Sequence, residues 1–216
     1  MKILIAVLSC RAHAAFQQAQ RETWVKDIPE GVDFKYFVGY ETTEPDEVQL
    51  GGDAFKPEQG LKKYPSLPDK TKRLCQWALD YGYDYLFKTD TDTVINVKNL
   101  LNSGFKKWDY SGGYNQEETG EFCSGGAGYW LSRKAMQIVS DSTFTSWAED
   151  LFVAGSLKQA GILPVFDPGY RWKPGEVIDS EAITLHLGSA LHPKKYEPGM
   201  MYEHYTKIMA VNLGYK

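Results

Sequence analysis

Six apolar residues in a row, Ile3 to Leu8, sit between Lys2 and Ser9 at the start of the chain. The run is shorter than the roughly 7–15 apolar residues of a secretory segment and the roughly 20 of a membrane helix. Unbroken apolarity over this length fits a strand covered on both faces, as in a parallel sheet. From Arg11 to Val25, Ala14, Ala15, Ala19 and the run to Trp24 supply the apolar face of a helix. Asp33 to Tyr40 reads as a second strand, stopped by Gly39. Residues 41–60 carry Glu41, Glu44, Asp46, Glu47 and Asp53 among Gly and Pro, and read as an irregular surface excursion tethered by Leu50 and Phe55. After a turn at Tyr64–Pro68, Asp69 is expected to cap a helix that runs through Leu74, Trp77, Ala78 and Leu79 to Asp80 and ends at Gly82. A third apolar run, Tyr85 to Phe87, ends in two aspartates one residue apart, Asp90 and Asp92, before Val94 and Ile95 resume. Residues 1–92 thus alternate strand, helix, strand, helix, strand. That order predicts a doubly wound sheet with ligands beyond the strand C-termini.

The second half is less regular. Asn99–Leu101 suggests a short helix, and Trp108–Tyr114 and Glu121–Cys123 suggest strands. A glycine-rich stretch, Cys123 to Gly128, precedes Tyr129-Trp130-Leu131, and Ser132 is placed to cap a helix to about Ser140. Trp147 to Asp150 opens another helix, to Ala160, and Pro164–Phe166 and Ala182–Leu187 read as late strands. From His192 the tail is rich in Pro, Lys and Tyr and predicts no element. With no repeat and no low-complexity tract, the expectation is one α/β domain: a mixed, Rossmann-like sheet flanked by helices, with residues 1–92 as a nucleotide-binding half and 93–216 as an acceptor and catalytic half.

Composition supports a folded domain. The chain of 216 residues is 43% hydrophobic and 14% aromatic, enough for a sizeable core. A net charge of −4 removes any bulk electrostatic case for nucleic acid or an anionic membrane and leaves only a local basic groove. Cys10, Cys75 and Cys123 are odd in number and form no C-x-x-C, which points to reduced thiols in a cytoplasmic protein. No export or anchor segment is expected.

Five features carry candidate chemistry. Two carboxylates at a strand end repel each other unless a cation, a shared proton or a phosphoryl group relieves them. Asp90 and Asp92 therefore suit Mg²⁺ or Mn²⁺ held together with diphosphate oxygens, or else an aspartate turn. Gly125 and Gly126 permit close backbone approach to a ligand, or simply a tight turn. Glu149-Asp150 at a helix start fits either the helix dipole or a general base, with the choice between the two acids open. His186, in T-L-H-L, is a core histidine unless its strand ends near Asp92, where it becomes a metal ligand. Arg21, in R-E-T-W, is an exposed helical residue or an anion contact.

In this order the pieces resemble the β-1,3-galactosyltransferase and Fringe superfamily of glycosyltransferases, over roughly residues 1–190. Arg21-Glu22-Thr23-Trp24 resembles the family's R-x-T-W, and Tyr64 to Thr71 resembles its Y-x-N-L-x-x-K-T, with Trp77 following. Lys88 to Asn96 is similar to K-T-D-D-D-x-F-V-N, Phe122 to Ser132 to aromatic-C-S-G-G-G-Y-x-L-S, and Glu149 to Gly155 to E-D-V-x-x-G with the glycine one residue late. The resemblance implies a GT-A fold and a metal-dependent, inverting transfer of a sugar of the galactose, N-acetylhexosamine or glucose type. The donor would be a UDP-sugar, the cofactor Mn²⁺ or Mg²⁺, and the acceptor a glycan or another hydroxyl. A nucleic acid acceptor is admitted but not favoured. Carried over by position, Asp92 and His186 would bind the metal and Asp150 would be the base. Ser9, Arg21, Lys70, Asp90, Asp92, Gly125 and Gly126 would line the donor site.

The chain departs from the family pattern at two positions: Thr91 replaces the middle aspartate, and Gln17 stands where the family often has an arginine. It also shows no signal anchor and no cysteine framework, which suggests a soluble bacterial or viral version, cytoplasmic or working at the inner membrane surface. Two other readings compete. Asp90 to Val94 also fits the D-x-D-x-[TV] nucleophile motif of haloacid-dehalogenase-like phosphatases, with Asp90 phosphorylated. That motif normally ends a domain's first strand and follows apolar residues, whereas here two strand–helix units and Lys88-Thr89 come first. The other is a non-catalytic nucleotide-sugar or glycan-binding protein. For the acceptor, Trp108, Tyr114, Trp130, Trp147 and Trp172 suit stacking on sugar faces, and equally a place in the core or stacking on a nucleobase.

Overall fold

β1 (Ile3–Leu8) is buried at every position. Because successive side chains in a strand point to opposite faces, Ile3, Ile5 and Val7 enter one core and Leu4, Ala6 and Leu8 the other. A computed structural model of the chain describes residues 1–42, 44–51, 66–117, 120–171, 178–188 and 197–214. After β1 come α1 (Ala14–Glu22), β2 (Val32–Val38), β3 (Glu47–Gln49), α2 (Ser66–Asp80), β4 (Tyr85–Asp90), β5 (Thr93–Ile95) and α3 (Val97–Asn102). Then follow β6 (Tyr110–Gly112), β7 (Tyr114–Glu117), β8 (Gly120–Cys123), β9 (Tyr129–Ser132), α4 (Arg133–Asp141) and α5 (Glu149–Gln159). The described chain closes with β10 (Val165–Phe166), β11 (Tyr170–Arg171), β12 (Thr184–His186) and α6 (Pro198–Asn212).

Seven strands form one mixed sheet in the order β10-β6-β9-β4-β1-β2-β3. β1 pairs in parallel with β2 on one side and β4 on the other. β9 runs antiparallel between β4 and β6. The chain thus leaves β1 first in one direction and later in the other, which opens a crevice at the C-terminal ends of β1 and β4, where open α/β sheets bind ligands. β5, β12 and β11 form a second, three-stranded sheet, and β7 with β8 makes a separate hairpin.

Helices cover both faces. Phe16 and Ala19 of α1, Val97 and Leu100 of α3, and Met201 and Ile208 of α6 join the Ile3–Val7 side. Leu74, Cys75 and Ala78 of α2, Met136 and Val139 of α4, and Phe152, Val153 and Leu157 of α5 join the other. Each of the Phe, Leu, Ile, Val and Met side chains contributes about 1.5–3 kcal/mol of burial. Phe105 stacks on Trp130 at 3.7 Å and so fastens β9 to the first of these cores. Cys10, Cys75 and Cys123 are all buried, as reduced core thiols would be.

Several expected boundaries move. The Arg11–Val25 helix is three pieces, with 3₁₀ turns at Arg11–His13 and Trp24–Asp27 around α1. Thr23 leaves the helical region, and its hydroxyl donates back to the Ala19 carbonyl at 2.6 Å, ending α1. Asp69 does not cap α2, which starts at Ser66; its carboxylate instead pairs with Arg73 one turn on, at 2.7 Å. The acidic excursion contains β3, in register with β2 through Tyr36 and Glu47. The tail contains α6, begun by Pro198 in its first turn, a position where the missing N–H costs nothing. Phe55, the Tyr64–Pro65 part of the expected turn, Trp172 and His192 lie outside the described residues.

Candidate active site

β4 is the middle strand of the large sheet and delivers Asp90 opposite Leu8, at the edge of the β1/β4 crevice. The Asp90 side chain is 37% exposed. Asp92 follows in the turn where the chain leaves this sheet for β5. There, antiparallel pairing sets Thr93 opposite His186, and the Leu187 amide donates to the Asp92 carbonyl at 2.8 Å. That register brings His186 Nε2 to 3.3 Å from Asp92 Oδ2. Burial opposes the charged form of both groups, but their mutual attraction outweighs it: the Asp92 carboxyl lies below its ordinary value and the His186 imidazole above. Thr91, between the aspartates, shares a 2.7 Å hydrogen bond with His13 Nδ1.

The pair offers one carboxylate and one imidazole, a donor set suited to Mn²⁺ or a similar divalent ion. Among the described residues no three His, Cys, Asp or Glu side chains gather into a metal cage. Two protein donors are what a cation needs when substrate oxygens and water complete its shell.

Behind Asp90 lies a charge network that the sequence reading did not single out. Lys88 Nζ is 1% exposed and touches Asp90 at 2.9 Å, Glu149 at 2.8 Å and the Gly125 carbonyl at 3.2 Å. The other Glu149 oxygen accepts a short hydrogen bond from the Tyr129 hydroxyl. Burial alone would push the Lys88 ammonium down, but the Asp90 and Glu149 carboxylates more than offset it and hold it above the ordinary lysine value. Burial and the nearby Asp92 charge raise the Asp90 carboxyl, with Lys88 opposing. A lysine inside an apolar strand was the available signal; its partner is 61 residues away in sequence.

The glycine-rich loop joins these parts. The Gly126 carbonyl accepts from Thr89 at 3.1 Å and from Thr93 at 2.6 Å, while the Gly125 amide donates to Asp150 Oδ2 at 3.4 Å. A Cβ on Gly126 would meet the His186 ring at 2.5 Å, and one on Gly125 would collide with the Glu149 carboxylate. Glycine at both positions therefore admits the protein's own site residues. Asp150, in the first turn of α5, has a half-buried carboxylate that also accepts from the Leu151 amide at 2.9 Å. Burial, reinforced by the Glu149 charge, raises its pKa to about 7. Both Glu149 oxygens are taken by Lys88 and Tyr129, whereas among the described residues Asp150 receives backbone amides.

Of the other expected donor-site residues, Ser9 and Lys70 meet just beyond β1. The Lys70 ammonium donates to the Ser9 carbonyl at 2.6 Å, and Gln17 donates to the Ser9 hydroxyl at 2.8 Å and to the Tyr40 hydroxyl at 3.1 Å. Arg21 is engaged elsewhere: its guanidinium forks onto Asp46 at 2.8 and 2.7 Å and lies over the Tyr36 ring. The site group thus comprises Asp90, Asp92, His186, Gly125, Gly126 and Asp150, with Lys88 and Glu149 beneath and Ser9 and Lys70 at the neighbouring strand end.

The mixed α/β fold is shared with a solved structure. The chain is similar to a glycosyltransferase involved in the glycosylation of the major capsid of PBCV-1, with a TM-score of 0.55 and 12% sequence identity over 95% of this chain and 100% of that one. A197 from STIV matches with a TM-score of 0.44 and 12% identity over 77% of this chain and 82% of that one. No protein-family model matches the sequence, and comparison with curated proteins finds no match. No helix among the described residues is long and apolar enough to cross a membrane.

Proposed function

We propose that the chain is a metal-dependent glycosyltransferase that moves a hexosyl group from a UDP-sugar to an acceptor hydroxyl with inversion at the anomeric carbon. One observation carries this reading: a single two-glycine loop touches Asp150 on one side and His186 on the other, next to Asp90 and Asp92. The fold shared with the viral glycosyltransferase supports it.

Asp150 accepts the proton of the acceptor hydroxyl; a pKa of about 7 makes it a competent base near neutrality. The acceptor oxygen then bonds to the anomeric carbon as the bond from that carbon to the diphosphate breaks, the electron pair leaving with UDP. One base and one displacement produce inversion. Asp92 and His186 are the residues that would hold Mn²⁺ or Mg²⁺, which supplies counter-charge for the diphosphate. Asp90, steadied by Lys88, would orient the ribose or sugar, with Ser9, Lys70 and the Gly125-Gly126 backbone completing the donor side. Arg21 would join them only on release from Asp46. Residues 1–92 thus furnish most of the donor half and 93–216 the base and acceptor half. A phosphorylated Asp90 is not favoured, because Lys88 already holds that carboxylate and its strand is fourth in the domain.

Asp150→Asn tests the reading. Sugar transfer should fall by about 10²–10⁴-fold while UDP and Mn²⁺ binding persist. Transfer at the wild-type rate would remove Asp150 from its role. No binding or turnover with any UDP-sugar in the presence of Mn²⁺ would sink the function itself.

A further inference from the structure

A cavity of about 560 Å³ lies along α5, from Leu151 to Lys158, and none of the charged group already described lines it. Leu151, Gly155 and Lys158, spaced along one face of α5, form one wall. Phe144, Trp147 and Leu163 close it. Gly155 has a packing reason: a Cβ there would drive into the Phe144 ring. Trp147 is 59% exposed and Leu163 65% exposed, a large apolar surface left open at the mouth. The Ser146 hydroxyl accepts from the Ala148 amide at 3.3 Å and so ties the segment bearing Trp147 to the helix start.

We propose that this cavity binds a pyranose ring of the acceptor, its C–H face laid on the Trp147 indole. Its role as an acceptor site rests on the transferase reading above. A pyranose has an apolar face and a polar rim. The cavity offers the matching surfaces, carbon walls with the polar side chains of Thr145, Ser146, Glu121 and Lys158 around them. Asp150 is not itself in the lining, but it precedes the wall residue Leu151 and stands one helical turn before Ala154, also in the wall, which sets the candidate base beside the cavity. Lys158 is the one cation in the described lining and Glu121 is also present, which with a net charge of −4 disfavours a nucleic acid strand here.

The test uses the whole chain and defined probes. Saturation-transfer NMR with methyl glycosides of glucose, galactose, mannose and N-acetylglucosamine, and with oligothymidylate, compares wild type with Trp147→Ala and Trp147→Phe. At least one glycoside should bind through its ring protons, bind about tenfold more weakly to Trp147→Ala, and recover in Trp147→Phe. UDP-sugar affinity and melting temperature should be unchanged in both variants. Failure of every glycoside to bind, equal binding by Trp147→Ala, or binding of the oligonucleotide alone would overturn the proposal. UDP-sugar binding is read separately: its absence in wild type would count against the transferase reading and not against the glycoside site.

Discussion

Asp150 is the residue where position and proton affinity meet. With a pKa of about 7, it is half-protonated near neutrality. Transfer measured as kcat/KM for the acceptor should fall about tenfold per pH unit below about 7 and level off above it. The same shift acts on stability with the opposite preference. The carboxyl ionises at 3.8 when unfolded and about 7 when folded, so the native state holds more protons between those values. Its contribution is full below 3.8 and is lost as pH rises through about 7. Urea unfolding between about pH 4.5 and about pH 8 should show this decline in wild type and a shallower one in Asp150→Asn. Lys88 and Glu149 make a separate case. Glu149→Gln leaves the buried ammonium with Asp90 as its one carboxylate partner and should destabilise by about 3 kcal/mol in chemical denaturation. Lys88→Met combined with Glu149→Leu should recover part of that loss, since apolar side chains replace a buried ion pair at little cost. The two aspartates were legible because charge interrupts an apolar run. The lysine's role was not, because burial by a distant carboxylate leaves no local pattern.

Among the elements, the loop between β8 and β9 has the tightest tolerance. Gly126→Ala would press a methyl group into the His186 imidazole, swing it from Asp92 and lower Mn²⁺ affinity by about 10–100-fold, read by calorimetric titration. Elements with strong patterns were legible: β1, β2, β4, α4 and α5 lie within a few residues of their expected spans. β3 and β11 are three and two residues long, too short for alternation to register, and are recognisable only through their neighbours. α6 escaped notice for another reason: Met201 and Ile208 are its only fully buried side chains, a seam two turns apart among Tyr, Thr and His. His186 could be read as a ligand only on condition that its strand ended by Asp92. Pairing between β12 and β5 meets that condition, and nothing local to T-L-H-L encodes it.

At the scale of the whole molecule, α6 covers α1 and β5 although it lies last in the chain. Removing residues 197–216 would uncover Met201 and Ile208 contacts worth about 4 kcal/mol together, and the melting temperature of the truncated chain should drop accordingly. The same long-range order governs when the site comes into being. Asp90 and Asp92 leave the ribosome well before Asp150, and His186 later still. At about 5–20 residues per second, several seconds separate the first carboxylates from His186. During that interval the nascent chain exposes an acidic strand end with neither imidazole nor base beside it. On the proposed roles, sugar transfer would therefore be withheld from unfinished chains: a ribosome stalled before β12 would display the strands of the large sheet without His186.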